Sequence, residues 1–249
     1  MSRKVMIVTG AGRGIGAAIA RLAGASGYDV CVNYARSAKE AGEVVADIVK
    51  AGGRAIAVQA DVSRDEDVKR LFAETDSKLG RVDVLVNNAG IIGKQCRADA
   101  MTPELLLSVF AANTFSVFYC NREAIRRMST AHGGKGGAIV IISSVAAKHG
   151  GLPAETPYAA SKGALDSMTV GLAKEVGKEG VRVVSVRPGL IETAIHEAHG
   201  GQAVLDALAP TVPLGRIGTP EELAQSVLWL ASDAASYVHG AVIEVSGGR

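Results

Sequence analysis

Cysteine, aromatic residues and surplus charge are all scarce in this chain. Its 249 residues hold three cysteines, Cys31, Cys96 and Cys120, an odd number with no C-x-x-C spacing. That pattern argues against a disulfide framework or a thiolate metal site and leaves reduced thiols in a cytoplasmic protein as the expectation. Formal net charge is +2 and no basic run exceeds a few residues, so nucleic-acid binding has no electrostatic support. Residues 1–10 run directly toward a strand without the apolar stretch and cleavage site of a signal peptide. No segment is expected to supply the ~20 apolar residues that span a bilayer, so no membrane partner is expected.

What the chain has in quantity is apolar residues, at 48%, and glycine, at 30 residues. This is the composition of a globular protein with many tight turns. Short apolar runs rich in Val and Ile occur at Val5–Val8, Val30–Val32, Ala55–Val58, Val82–Val86, Ala138–Ile142, Val181–Val186 and Ala241–Val245. Most are apolar at successive positions, as strands buried on both faces are. Stretches long enough for crossover helices lie between them, among them Ile15–Ser26, Ser37–Ala51, Asp65–Leu79 and Pro157–Lys178. The alternation predicts an α/β fold with a doubly wound, seven-stranded parallel sheet of Rossmann type, in one domain over 1–249.

Helix signals agree. Thr219-Pro220-Glu221-Glu222 combines a capping hydroxyl, Pro at N1 and Glu at N3, and Gly52-Gly53 marks a helix end. Thr102-Pro103 opens the segment Glu104–Met128, which is apolar on more than one face through Leu105, Leu106, Leu107, Val109, Phe110, Phe115, Val117 and Phe118. Such a helix is expected within the core or against another subunit.

Thr9-Gly10-Ala11-Gly12-Arg13-Gly14-Ile15-Gly16 follows the first predicted strand and opens the first predicted helix. Helix N-termini offer free N–H groups to phosphate, and glycines let the backbone approach a pyrophosphate. After the second predicted strand come Asn33, Tyr34, Ala35, Arg36 and Ser37, without the acid that holds ribose hydroxyls in NAD-specific folds. Arg36, Ser37 and Arg13 suit a 2′-phosphate, which favours NADP(H) over NAD(H).

This octet resembles the T-G-x-x-x-G-I-G turn of the short-chain dehydrogenase/reductase family, and the resemblance continues along essentially the whole chain. Asn87-Asn88-Ala89-Gly90 matches the family's N-N-A-G, Ser144 with Tyr158 and Lys162 its serine and Y-x-x-x-K, and Pro188-Gly189 with Thr193 its P-G-x-x-x-T. The segments Pro213–Arg216 and Pro220–Glu222 also resemble the family's C-terminal part, closest to the 3-oxoacyl-carrier-protein reductase and glucose dehydrogenase-like groups. The resemblance implies that Asp61 and Val62 sit by the adenine, that Asn88, Ala89 and Gly90 line the ribose region, and that Ile191 and Thr193 meet the nicotinamide. It also implies a homotetramer with the 104–128 and 157–178 helices at one interface and the C-terminal strand at another.

Tyr158 and Lys162 stand four apart on a predicted helix and so share a face. A phenol of pKa ~10 is a weak base at neutral pH, and a nearby ammonium is expected to lower that value. Tyr158 is the candidate acid/base and Lys162 its electrostatic partner, which by resemblance also holds the nicotinamide ribose. Ser144, favoured over Ser143 by the family pattern, is expected to bind the substrate oxygen, and Asn113 resembles the family's fourth residue, supporting a proton relay. His196 and His199, with Glu192 and Glu197 close by, lack a specified third ligand, so no metal is expected. His149, Glu155 and Cys96 are possible pocket residues without a role. The substrate is a small carbonyl or alcohol compound, with a 3-oxoacyl thioester, a sugar, or a small ketone or diketone left open. The rival reading is an NADP(H)-binding sensor without turnover.

Overall fold

The computed structural model describes residues 3–193 and 201–249. Seven strands form one parallel sheet: β1 (Val5–Val8), β2 (Asp29–Tyr34), β3 (Arg54–Gln59), β4 (Val84–Asn87), β5 (Gly137–Ile142), β6 (Val181–Pro188) and β7 (Val242–Val245). Their order is β3-β2-β1-β4-β5-β6-β7, and every pairing is parallel. The chain winds outward from β1 to β3, then returns to place β4 on the other side of β1. This reversal opens a crevice at the carboxyl ends of β1 and β4, where open α/β sheets bind ligands.

Both faces of the sheet are covered. Met6, Val8, Val30, Val32, Val84, Val86, Val140 and Val184 pack with α1 (Gly14–Ala25), α2 (Ala38–Lys50) and α9 (Pro220–Ala231). Val5, Ile7, Leu85, Ile139, Ile141 and Val183 point the other way, toward α3 (Asp65–Lys78), α5 (Ser116–Met128) and α7 (Thr156–Val176). Successive strand residues face opposite sides, so two buried faces require unbroken apolar runs. The outer strands β3 and β7 are partly exposed.

The expected helix signals are used. Thr219 accepts the Glu222 N–H at 3.3 Å while the Glu222 carboxylate accepts the Thr219 N–H at 2.9 Å, closing a capping box. Thr102 caps α4 (Pro103–Phe110) by accepting the Leu105 N–H at 3.3 Å. Gly52 takes φ +83 after α2, and the Gly53 N–H reaches back to the Ile48 carbonyl at 2.9 Å.

Three expectations change. The 104–128 segment is not one uniform helix: α4 passes through a π-helical turn at Ala111–Phe115 before α5 begins. With that turn, Pro103–Met128 is long and apolar enough to cross a membrane by length and composition, contrary to the sequence-based expectation. Here it covers the sheet, with Val117, Cys120, Ala124 and Met128 in the core. The breadth of its apolar surface is not used within the chain, because Leu107 and Phe118 are 61% and 55% exposed. Finally, β2 extends through Asn33 and Tyr34, which sequence reading placed beyond the strand. The short helices α6 (Ala146–His149) and α8 (Gly201–Leu208) complete the fold.

Candidate active site

A cavity of about 860 Å³ lies along the carboxyl ends of the strands. The turn after β1 forms one end of it. Gly10 occupies the left-handed region at φ +62, where a side chain would be strained, and its N–H donates to the Asn33 Oδ1 at 3.2 Å. Asn33 also donates to the carbonyls of Val58 and Ala60, at 3.3 and 3.0 Å. It therefore ties three strand ends together and acts on the turn through the backbone. A Cβ on Gly16 would come 2.5 Å from the Gly10 carbonyl oxygen, and one on Gly12 would come 2.5 Å from the Ser37 Oγ. These two glycines permit close packing and do not line the cavity, whereas Gly10, Arg13, Gly14 and Ile15 do.

Among the described residues no side chain caps α1, so its first N–H groups remain available to an anion. Tyr34, Arg36 and Ser37 line the cavity beside the turn, and neither Arg13 nor Arg36 makes an ion pair among the described residues. An uncapped helix start, a glycine cradle with no room for side chains and two uncommitted guanidinium groups fit a dinucleotide phosphate. One correction is needed on this side. Sequence reading found no acid after β2, yet Glu40, in the first turn of α2, reaches the cavity wall.

The segment after β4 forms the middle of the cavity through Asn88, Ala89 and Gly90. Thr9 Oγ1 accepts the N–H groups of Asn88 and Ala89 at 2.9 and 3.1 Å, and Asn88 Nδ2 donates to the Thr9 and Gly10 carbonyls at 2.9 and 3.2 Å. Asp61 and Val62 line the wall beyond β3. Pro188, Gly189, Ile191 and Thr193 close it from β6, and the Thr193 methyl lies 3.4 Å from where a Cβ on Gly14 would stand.

Ser144, Tyr158 and Lys162 share the far end of the cavity. Lys162 is 4% exposed, donates from Nζ to the Ile142 carbonyl at 2.8 Å and sits 5.9 Å from the centre of the Tyr158 ring. Burial lowers the Lys162 pKa to about 8, opposed by the charge of Asp166. Ser144 lies close enough to the Tyr158 hydroxyl to favour its ionised form, and its own Oγ accepts the Ala146 N–H at 3.1 Å. Ser143, the competing serine, is buried and spends its hydroxyl on the Lys162 carbonyl at 3.1 Å. The expected lowering of the phenol's pKa is not what the structure gives. Burial raises the Tyr158 pKa, Ser144 lowers it less, and the nearby Glu155 carboxylate raises it further. Desolvation disfavours the phenolate here and is the largest influence on it.

Asn113 does not reach the cavity. It is fully buried in the π-helical turn, accepts the Ile91 N–H at 2.8 Å, and donates to the Ile91 carbonyl at 2.8 Å and to Ser161 Oγ at 2.9 Å. Ser161 in turn donates to the Tyr158 carbonyl at 2.7 Å. Asn113 thus locks the segment after β4 to the helix that carries Tyr158 and Lys162. Ser161 was missed by sequence reading, although its place beside Lys162 was the available signal.

Of the undecided residues, His149 and Glu155 line the cavity and Cys96 does not. Glu155 is buried and accepts from Gln95 Nε2 at 2.9 Å and the Leu152 N–H at 3.2 Å. Arg249, which no sequence signal marked, also lines the cavity. His196, Glu197 and His199 lie outside the described residues, and no cluster suited to a metal ion occurs among the described ones.

Sheet order, phosphate turn and the Ser–Tyr–Lys group together define a dinucleotide-binding oxidoreductase. The family described as Enoyl-(Acyl carrier protein) reductase matches residues 10–249. The chain is 44% identical over 245 residues to the uncharacterized oxidoreductase YgfF of Escherichia coli K12, covering 98% of this chain and 99% of that protein. It is 40% identical to a 3-oxoacyl-[acyl-carrier-protein] reductase of Synechocystis, covering 100% of this chain and 97% of the relative. A short-chain dehydrogenase/reductase from Serratia marcescens superposes with a TM-score of 0.91 at 33% identity, covering 99% of this chain and 98% of that one. The chain belongs to the short-chain dehydrogenase/reductase family, whose members use nicotinamide cofactors.

Proposed function

We propose that this chain is an NADP(H)-dependent carbonyl reductase with Tyr158 as its proton donor. The observation that carries the reading is the convergence of Ser144, Tyr158 and Lys162 at one end of a cavity whose other end is the phosphate turn. A bound nicotinamide supplies the hydride for the carbonyl carbon. Tyr158 delivers its hydroxyl proton to the carbonyl oxygen, and its raised pKa keeps that proton in place at neutral pH. Ser144 donates to the same oxygen as negative charge develops on it. Lys162, held on the Ile142 carbonyl, would hold the nicotinamide ribose and places its nitrogen 5.9 Å from the centre of the tyrosine ring. Asn113 positions this group through Ile91 and Ser161.

The preference for NADP(H) rests on Arg13, Arg36 and Ser37, two guanidinium groups and a hydroxyl that outweigh the single exposed carboxylate of Glu40 on the same cavity. Arg36→Leu is expected to lower the NADPH-over-NADH preference roughly 10- to 100-fold, the size of one charge-assisted hydrogen bond. The substrate is a small carbonyl compound, with 3-oxoacyl thioesters, sugars and diketones as candidate classes. The exposed apolar side chains of α4, α5 and α7 support a homotetramer, and the cytoplasm is the expected compartment.

The test is the steady-state oxidation of NADPH and of NADH against acetoacetyl thioesters, diketones and aldehydes, with Tyr158→Phe alongside. NADPH-dependent turnover that falls about 10²-fold or more in the variant, while NADPH binding persists, is the expected result. Tight NADPH binding without turnover in either direction would instead favour a cofactor sensor.

A further inference from the structure

The cavity contains one cation whose charge nothing in the proposed reaction employs. Arg249 lines it from the segment that follows β7. That segment is firmly held. The Gly189 N–H donates to the Val245 carbonyl at 3.0 Å, the Leu214 N–H to the Gly247 carbonyl at 3.1 Å, and Ser246 Oγ to the Arg249 carbonyl at 3.1 Å. Ser246 packs so tightly on Gly189 that a Cβ there would stand 2.7 Å from its Cα. Arg249 is therefore placed by the fold at the β6 end of the cavity.

One end of its guanidinium has no partner among the described residues. Nη1 is buried and makes no hydrogen bond, and Arg249 forms no ion pair among the described residues. Arg249 is half-buried as a residue, and a donor nitrogen shut off from water without an acceptor is unfavourable. The other charged groups at this end are committed. Lys162 donates to Ile142, and both Glu155 oxygens accept hydrogen bonds from Gln95 and Leu152. The phosphate turn follows β1, while Arg249 follows β7, and β4, β5 and β6 lie between those two strands in the sheet.

We propose that Arg249 anchors a carboxylate on the carbonyl substrate, so that the natural substrate is a keto acid. The planar fork of the guanidinium suits a carboxylate, which it can bind through two parallel hydrogen bonds. The inference rests on the carbonyl-reductase reading for its substrate but not for its anion site. Arg249 is a binding and orienting residue. It takes no part in the proton transfer from Tyr158.

The experiment compares acetoacetate with methyl acetoacetate, which differ in the negative charge. The first readout is the ratio of kcat/KM for acid over ester with NADPH, in the wild type, Arg249→Met and Arg249→Lys. The second is calorimetric titration of the same compounds into the protein–NADP⁺ complex, where the keto group cannot be reduced. The acid is expected to be preferred at least tenfold. That preference should collapse at least tenfold in Arg249→Met, mainly through KM, and return in part in Arg249→Lys. Ester turnover without preference for the acid, or a preference indifferent to Arg249→Met, would overturn the anchor and leave the reductase reading intact. Arg249-dependent binding of acetoacetate without turnover of either compound would uphold the anchor and count against the reductase reading. Absence of both binding and preference would overturn the anchor, and NADPH fluorescence titration of each variant verifies that it is folded.

Discussion

Lys162 shows how a single buried group links folding to chemistry. Its ammonium has one carbonyl partner, and burial brings its pKa from 10.5 to about 8. The unfolded chain therefore binds more protons at this residue between those two values, and its contribution makes stability rise with pH across that window. Cys31 and Cys120 act in the opposite sense. Burial raises both thiols from 9.0 to about 12, so the unfolded chain ionises first and stability falls above pH 9. The thiols cancel in a comparison of wild type with Lys162→Met. Urea unfolding at about pH 7.5 and about pH 9.5 should show the wild type gaining roughly 2 kcal/mol relative to the variant. A difference independent of pH would mean that Lys162 is solvated. The grouping of Tyr158, Lys162 and Ser144 on one cavity was legible in the sequence, because a four-residue spacing puts Tyr158 and Lys162 on one helix face and the family pattern singles out Ser144. Arg249 and the roles of Asn33 and Asn88 were not, because each depends on strands brought together from distant parts of the chain.

At the scale of the element, the π-helical turn at Ala111–Phe115 is the feature that joins packing to function. It brings Asn113 inward, where the side chain pairs with both polar groups of Ile91 and with Ser161. Asn113→Ala leaves the Ile91 N–H and carbonyl without these partners. It should cost about 1–3 kcal/mol in urea unfolding and reduce kcat through misplacement of α7. The α9 capping box provides a contrast, because neither Thr219 nor Glu222 lines the cavity. Thr219→Ala should lower stability by about 1 kcal/mol and Tm by about 2–4 °C, with kcat unaffected. Gly16→Ala belongs here too, because its Cβ would meet backbone at 2.5 Å from the Gly10 oxygen. It should weaken NADPH binding tenfold or more in a fluorescence titration. Caps and glycine ends could be read from the sequence because they are local. The π-helical turn could not, since an apolar-rich stretch such as Leu105–Phe110 reads the same whether or not the following turn widens.

At the scale of the whole molecule, two faces of one sheet, continuous apolar strands and a reversal of strand order form a crevice into which every expected cofactor residue except Gly12 and Gly16 projects. The apolar runs and their alternation with helices made that architecture readable. The outer surface was less so, because exposure depends on what packs beside each helix. Leu106, Leu107, Phe115, Phe118 and Val170 remain exposed on α4, α5 and α7 or in the turn between α4 and α5. If the proposed tetramer assembles through them, Leu107→Glu combined with Phe118→Glu should reduce the mass measured by light scattering during gel filtration to that of a dimer or monomer. An unchanged mass would place the interface elsewhere. The central claim concerns transfer of hydride from a nicotinamide to a carbonyl carbon beside Tyr158. Its most direct test uses NADPH carrying deuterium on the transferable position, with acetoacetate, its methyl ester and a diketone offered to wild type and Tyr158→Phe. The account predicts deuterium on the carbinol carbon of the alcohol formed by the wild type and at least 10²-fold less product from the variant. Unlabelled alcohol, or labelled alcohol formed equally well by Tyr158→Phe, would contradict it.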